Sequence, residues 1–536
     1  MAKIVTFKNN LEYYLRLYDS RMLDNDLLGA LDACRSAYSH AKTRIDRNAI
    51  CLIIGQIYFD MQLYSLSCDY YFRAVCVPST RAGAYLGIAR NLIMLGKFSL
   101  AIEYLDNVLT WDFLDKYTQD VLYWNNTIKQ KLNTYNSNNT SQKLKININN
   151  LFRLGKFAEL DTYLSDIKSL YPTDYEFAIM YAKNKIYLKD YTSARKIIFD
   201  ILNTSPNHTQ ALLLLARLCV ILEDYNTARE YLSNLLKITD LDTDTLLSIG
   251  GIYFELKEYS QAITCFIKVL DTHAFRPKLL LFTAISYYNL NDTENALYYI
   301  GKARWLDFDN PLFKQFYKLF KSAEYNQTLP LSQQLPQSVI EEKINNLISV
   351  LDKEEFSKFF FDTDGAEDDI SWCMTLDQIP IIDKLSNTLT KLKNKKAINL
   401  TKQVLLSSHY SIYSKFCVTK NAITSGNYKY LDLNSNFTFR SFKVNLPNKY
   451  RKFPVLLNAI ANARAYIECY ANKININNEL HFISDLVINK PNIEFDEYTL
   501  TCTFFYQYHS VLSDVCRYFQ VPLHSVQTVL NSLGVD

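Results

Sequence analysis

Between Asp362 and Asp369 the chain reads Asp-Thr-Asp-Gly-Ala-Glu-Asp-Asp, which crowds carboxylates around one glycine and raises the question of a calcium site. A calcium loop of that kind needs a glutamate six residues beyond the glycine, and Ser371 stands there instead, so the stretch reads as an exposed acidic loop. The remaining reactive residues fall into no catalytic pattern. The histidines are scattered, without H-E-x-x-H or G-x-S-x-G, and the only adjacent glycines, Gly250 and Gly251, lie inside an apolar repeat rather than in a phosphate-cradling loop. The eleven cysteines include no C-x-x-C pair. Cys219 and Cys265 occupy apolar helical positions, as reduced packing thiols do, which fits a cytoplasmic protein better than a zinc site or a disulfide framework. This inventory calls for no enzyme, no metal and no other cofactor. The chemistry left is recognition.

The elements that would carry such recognition are written in the hydrophobic pattern. Blocks starting at Ser141, Tyr175, Thr209, Thr243 and Pro277 repeat one pattern at a constant spacing. In the block from Thr209, Ala211, Leu212, Leu215, Ala216 and Cys219 form one apolar stripe, and Ala228, Leu232 and Leu235 form a second after Glu223-Asp224-Tyr225. Each block is therefore a pair of helices. Small residues recur where two helices must touch: Ala182, Ala216, Gly250 and Ala284, then Ala194, Ala228, Ala262 and Ala296. An aromatic opens the second helix at Phe157, Tyr191, Tyr225 and Tyr259. Two further units, 48–81 and 82–115, carry Gly55, Tyr58, Tyr64, Tyr71 and Ala74, then Ala89, Gly96, Phe98 and Ala101.

These residues resemble the tetratricopeptide repeat, whose 34-residue unit is a helix hairpin with small residues at its eighth and twentieth positions and an aromatic at its seventeenth. The prolines near the unit's end, Pro172 and Pro206, match as well. The resemblance covers about residues 48–115 and 141–310. It implies an all-α fold, a tetratricopeptide-type solenoid superhelix, capped by a helix pair over 11–41 and closed by 312–325. The block from Ser141 departs from it, with Ile148 and Leu160 at the two small positions, and Thr293 replaces the aromatic in the last block. Register is lost after residue 115; 116–140 reads as an extra helix over 120–132 followed by an Asn/Ser-rich loop and a flex point.

The resemblance also implies that the first helix of each unit lines a concave groove. Its ninth position falls on Gln56, Arg90, Asn149, Lys183, Arg217, Gly251 and Ile285, and Arg153 lies one turn beyond Asn149. Tyr187, Phe254 and Tyr288 add aromatic surface along the same helices. The groove-binding set is thus Arg90, Asn149, Arg153, Lys183, Tyr187, Arg217, Phe254 and Tyr288, suited to an acidic peptide or protein segment with apolar anchors. Lys145 and Asn149 have the spacing that opens the dicarboxylate clamp of chaperone-binding members, but Met180, Gln210 and Leu214 replace the rest of it, so a chaperone's acidic tail is not the expected ligand.

Residues 326–338 are polar, with two prolines, and read as a linker; 339–536 reads as a mostly helical domain of no recognised family. Helical spacing marks 339–351, 381–406, 454–469, 479–488 and 497–519, and alternation over Tyr428–Val444 marks a small β-hairpin. Trp372 is placed to anchor a contact between domains. Residues 514–531 resemble a helix-turn-helix in Val515, Cys516, Val521, Val526, Val529 and Leu530, the basis for an alternative role as a peptide-responsive or DNA-linked regulator. Arg517 is the segment's sole permanent cation and the chain's formal net charge is +3, so nucleic acid is not the expected partner. The first residues lack a leader's apolar core, no uncharged apolar run approaches the ~20 residues that span a bilayer, and nothing specifies an oligomeric state. The expected protein is a non-enzymatic cytoplasmic scaffold or adaptor.

Overall fold

The structure, a computed structural model, describes residues 11–109, 114–136, 140–171, 173–322, 327–351, 355–376, 378–444, 446–470, 474–490 and 494–535. Among the expected features, Pro172, residues 137–139 and residues 323–326 lie outside them. The described chain is mostly helical, with one small antiparallel sheet. Among the described residues no helix is long and apolar enough to cross a membrane. Sequence order is not packing order: the chain forms two compact units, one of residues 1–126 with 337–536 and one of residues 127–336.

The unit 127–336 is a run of helix hairpins. It takes in the end of α7 (Leu114–Asn136) and continues through α8 (Thr140–Arg153), α9 (Phe157–Leu170), α10 (Tyr175–Tyr187), α11 (Tyr191–Thr204), α12 (Thr209–Ile221), α13 (Tyr225–Leu236), α14 (Thr243–Glu255), α15 (Tyr259–Thr272), α16 (Pro277–Asn289), α17 (Thr293–Leu306) and α18 (Pro311–Lys321). From Tyr175 to Pro311 the first helices begin at strictly equal intervals, one repeat unit apart, as the hydrophobic pattern requires. All the alanines at the two small positions are fully buried. In the departing block Ile148 and Leu160 are buried as well and build a local core with Leu164, Ile167 and Phe177.

A facing residue decides whether the small position is alanine or glycine. A Cβ added at Gly250 would stand 2.5 Å from the Phe266 ring, and one at Gly55 would stand 2.9 Å from Tyr71. Where the small residue is alanine, the residue sixteen positions on is aliphatic: Leu105, Ile198, Leu232 and Ile300. Ring volume on the second helix is thus matched by a missing methyl on the first.

The turns repeat as faithfully as the helices. Gly155, Lys189, Glu223, Lys257 and Asn291 all adopt left-handed backbone, with φ from 61 to 67°. Each closes its helix with a pair of backbone bonds, for example Glu223 N to Val220 O and Asp224 N to Cys219 O, so two otherwise unpaired carbonyls are satisfied. The next residue then starts the second helix: Asp190, Asp224 and Asp292 accept from the backbone N–H of Ser193, Thr227 and Asn295. The polar stretch after α18 is also held, since the Asn289 side chain donates to the Leu329 carbonyl and accepts from its N–H, and Leu329 and Leu335 are buried.

The other unit opens with α1 (Leu11–Leu23) and α2 (Leu27–His40), the expected cap pair, then α3 (Arg44–Asp60), α4 (Tyr64–Val75), α5 (Pro78–Met94), α6 (Phe98–Leu109) and the first half of α7. Left-handed Gln62 and Gly96 repeat the same turn, one repeat length apart. α7 outruns the expected helix at both ends.

After residue 336 come α19 (Gln337–Leu351), α20 (Glu355–Asp362), α21 (Ala366–Cys373), α22 (Ile379–Lys391), α23 (Lys395–Leu406), α24 (Ile412–Ser425), β1 (Tyr430–Ser435), β2 (Thr438–Lys443), a 3-10 turn, α25 (Pro454–Tyr470), α26 (Asn477–Asn489), α27 (Glu497–Thr503), α28 (His509–Phe519) and α29 (Leu523–Leu533). The hairpin stands where alternation places it, with Leu431 opposite Phe442 and Asn434 opposite Phe439.

Two helices expected to be continuous are broken. Asn427 donates to the carbonyls of Thr390 and Lys391, capping α22, and Asn394 caps the start of α23 through Lys396 N. Between α27 and α28, Phe504 and Phe505 turn fully into the core. Helices α20, α21 and α24 have no counterpart in the expected pattern. α21 absorbs half of the acidic loop: Gly365 enters it with φ 79°, and Glu367, Asp368 and Asp369 sit in its first turn, where carboxylates complement the helix dipole. Trp372 is buried within this unit.

Candidate functional site

In the unit 127–336 the exposed side of the first helices is built from residues that the repeat places side by side. Lys183 on α10 and Arg217 on α12 are one repeat length apart, and both are exposed. Partial desolvation between the helices, together with the Arg217 guanidinium, holds the Lys183 ammonium below its ordinary range. Arg217 approaches Glu255 on α14 at 3.9 Å between two largely exposed side chains, a weak pairing. Asn149 and Arg153 on α8 are exposed, and neither they nor Lys183 make a side-chain hydrogen bond or ion pair among the described residues.

Aromatic surface flanks the cations. Tyr187 is 62 % exposed yet braced, its ring stacked on Phe157 at 4.8 Å and met edge-on by Phe152 at 5.9 Å. Ile221, one repeat length beyond Tyr187, is also exposed; sequence reasoning passed it over, although the same spacing pointed to it. The other expected groove residues lie elsewhere. Phe254 is buried against Tyr259 with ring centres 5.0 Å apart, and Ile285 is fully buried. Tyr288 is half-buried and stacks on Phe320 of α18 at 4.8 Å.

Arg90 belongs to the other unit and is already engaged. It donates to Gln56 Oε1 at 3.0 Å and lies over the rings of Phe59 and Trp124, 4.3 and 5.5 Å from their centres. Gln56, Arg90 and Trp124 follow one another at the repeat spacing, so α7 continues the face of α3 and α5 past the point where the repeat pattern fades. The spacing was legible; the lack of a small residue at the eighth position hid it.

Other polar groups are committed to packing. Lys145 pairs with Glu176, and Lys185 with Asp161 at 2.9 Å. Buried Asn184 donates to Asp161 and to the Phe157 carbonyl, tying α10 to α9. An open depression of about 620 Å³ between α8 and α9 is lined by Asn147, Asn150, Leu151, Glu159, Tyr163 and Asp166, with no cation among the described residues. At the end of the chain, Gln520 takes the left-handed turn position between α28 and α29 with φ 57°, the place a glycine fills in the pattern it resembles. Arg517 there faces Asp514 at 3.7 Å.

The family model for the tetratricopeptide repeat matches residues 243–272, the hairpin of α14 and α15, and that segment is a tetratricopeptide repeat. No curated protein matches the chain. Among solved structures the chain is similar to a tetratricopeptide repeat protein from Parabacteroides merdae, with 14 % identity over 58 % of this chain and 99 % of that one and a TM-score of 0.23. It is also similar to yeast Tom70, with 13 % identity over 98 % and 95 % of the two chains and a TM-score of 0.28. A third similarity is to the TPR2AB domain of yeast Sti1 in a complex with pHSP90, with 12 % identity over 49 % and 98 % and a TM-score of 0.21.

Proposed function

We propose that the unit 127–336 binds a segment of another protein along the exposed face of its first helices. Acidic groups of that segment meet Arg153, Lys183 and Arg217, amides meet Asn149, and an apolar side chain rests on Tyr187 and Ile221. The single observation that supports this reading is the Lys183–Arg217 pair. Two cations are kept adjacent by the repeat, and desolvation together with the neighbouring guanidinium already disfavours the Lys183 charge, a cost that an incoming carboxylate offsets. A ring that is rigid but exposed, as Tyr187 is, offers contact area at little entropic cost. The role is that of a scaffold or adaptor, carried by binding and not by a reaction.

The test is affinity capture with the full chain and with Lys183→Glu/Arg217→Glu, read by quantitative mass spectrometry. Partners of this face drop at least tenfold in the variant, and their capture by the native chain weakens as salt rises. An unchanged set of partners refutes the reading. Arg90 is left alone because its guanidinium is part of the packing of α3, α5 and α7.

A further inference from the structure

Within the unit formed by residues 1–126 and 337–536, the tip of the β1–β2 hairpin meets the second helices of the first two repeats. The Tyr104 hydroxyl on α6 donates to the Phe437 carbonyl at 2.8 Å and accepts from the Phe439 N–H at 2.9 Å, so one side chain reads both backbone groups of the turn. Phe72 of α4 is fully buried and stacks on Phe439, 6.2 Å away and nearly parallel. Lys97 lies 5.3 Å from the centre of the Phe437 ring.

A second anchor stands beside the first. Asp69 of α4 is buried, and its Oδ2 accepts from Ser408 N at 2.8 Å, Ser408 Oγ at 2.9 Å and Ser407 Oγ at 3.3 Å, in the turn after α23. Behind it Lys415 of α24, buried, donates to the Asn434 carbonyl of β1 at 2.7 Å.

The hairpin turn is strained where it is gripped. Asn436 and Phe437 both have positive φ, 48 and 66°, the two-residue geometry that ordinarily selects glycine at its second place. A phenylalanine persists there when its surroundings over-determine it. Those surroundings are Tyr104, Lys97 and the Asn434 side chain, whose Oδ1 accepts from Phe437 N at 3.0 Å.

We propose that residues 337–536 are a built-in ligand of the first two repeats: the second-helix face of α4 and α6 is a docking surface for a β-turn, filled by this chain's own hairpin. That grip, and not the covalent path through residues 127–336, holds the first and last parts of the chain together. It is a surface distinct from the one proposed for partners, so the two can fail separately.

The test introduces a specific protease site into residues 331–334 of the full chain and cleaves the folded protein. The two pieces co-migrate on size exclusion and stay paired in native mass spectrometry at 1 M salt, because stacking and buried hydrogen bonds are little screened. Separation of the nicked native chain overturns the proposal. Phe72→Ala/Tyr104→Phe on one side and Phe439→Ala on the other each weaken the pairing about tenfold or more, while Glu103→Ala on the exposed side of α6 leaves it unchanged. Pairing that survives both substitutions undiminished overturns the assignment of the grip. Hydrogen exchange on the uncleaved chain gives an independent reading: Tyr104→Phe speeds exchange at Phe439 with α10–α17 unaffected, and unchanged exchange there counts against the proposal.

Discussion

At the residue scale, the adjacent glycines of α14 have opposite reasons to exist. A Cβ at Gly250 collides with the Phe266 ring, whereas a Cβ at Gly251 meets nothing within 4 Å. Gly250→Ala therefore destabilises by about 1–3 kcal/mol through overpacking. Gly251→Ala stabilises by about 0.5–1 kcal/mol, because an alanine loses less backbone freedom in a helix. Adding Phe266→Leu to Gly250→Ala recreates the alanine–leucine pairing of Ala216 with Leu232, so the double variant recovers much of the loss. Urea unfolding of the full chain measures all three, and a coupling near zero between positions 250 and 266 rejects the volume-matching rule. Small residues at helix contacts were legible because their periodicity is visible in the chain. Burial of Phe254 and Ile285 was not, because whether an apolar side chain at the edge of a first helix faces inward depends on its neighbour, here Tyr259 for Phe254.

At the element scale the hairpin turn is the unit of construction, and it holds the most removable strain. Lys189, Glu223 and Lys257 occupy left-handed backbone that costs an L side chain about 1–2 kcal/mol, a conformation glycine takes freely. Lys189→Gly and Glu223→Gly each stabilise by about 0.5–1 kcal/mol, seen as a higher urea midpoint, and Gly155→Lys shifts it the other way. The aspartates that follow add a pH dependence. Hydrogen bonds from the Ser193 side chain and N–H lower the Asp190 carboxyl, and those from the Asn295 side chain and N–H lower Asp292. A carboxyl lowered in the folded state contributes stability above its unfolded value of about 3.9, and that contribution is lost as pH falls through the lower folded value. Acid titration of helicity therefore shows repeats weakening below about pH 4, and Asp190→Asn/Asp292→Asn, which keeps the cap but removes the proton, flattens that limb. An unchanged acid limb excludes these caps as its source. The second-helix starts were readable from the recurrent aromatics; the left-handed turn was not, because lysine and glutamate have no leaning toward it and only the closed hairpin imposes it.

At the scale of the whole molecule, the sequence reveals the repeats and conceals what the first two of them pack on. Periodicity reports only neighbours one repeat unit away. Asp69 and Ser408 are separated by 339 residues, and each alone passes for an ordinary surface polar group. Fragments of the pairing were nonetheless visible: the hairpin was expected over Tyr428–Val444, and Phe439 alternates onto one of its faces. What no local pattern supplies is that α4 and α6 bury Phe72 and Tyr104 in a place where a free-standing array meets solvent or another repeat. Removing residues 337–536 therefore has an asymmetric effect. The N-terminal helices lose the partner of Phe72, the acceptor and donor of Tyr104 and the three bonds to Asp69, leaving a carboxylate whose site was built for burial without its hydrogen-bond donors. The hairpins from α10 to α17 keep their own cores, such as Ile198, Ile201, Leu214 and Leu215. In a chain ending at Pro336, hydrogen exchange then shows α3–α6 opening with little protection while α10–α17 remain as protected as in the full chain. Equal protection of α4 and α6 in the two chains means that the first repeats stand alone, and that the C-terminal segment rests on them without supporting them.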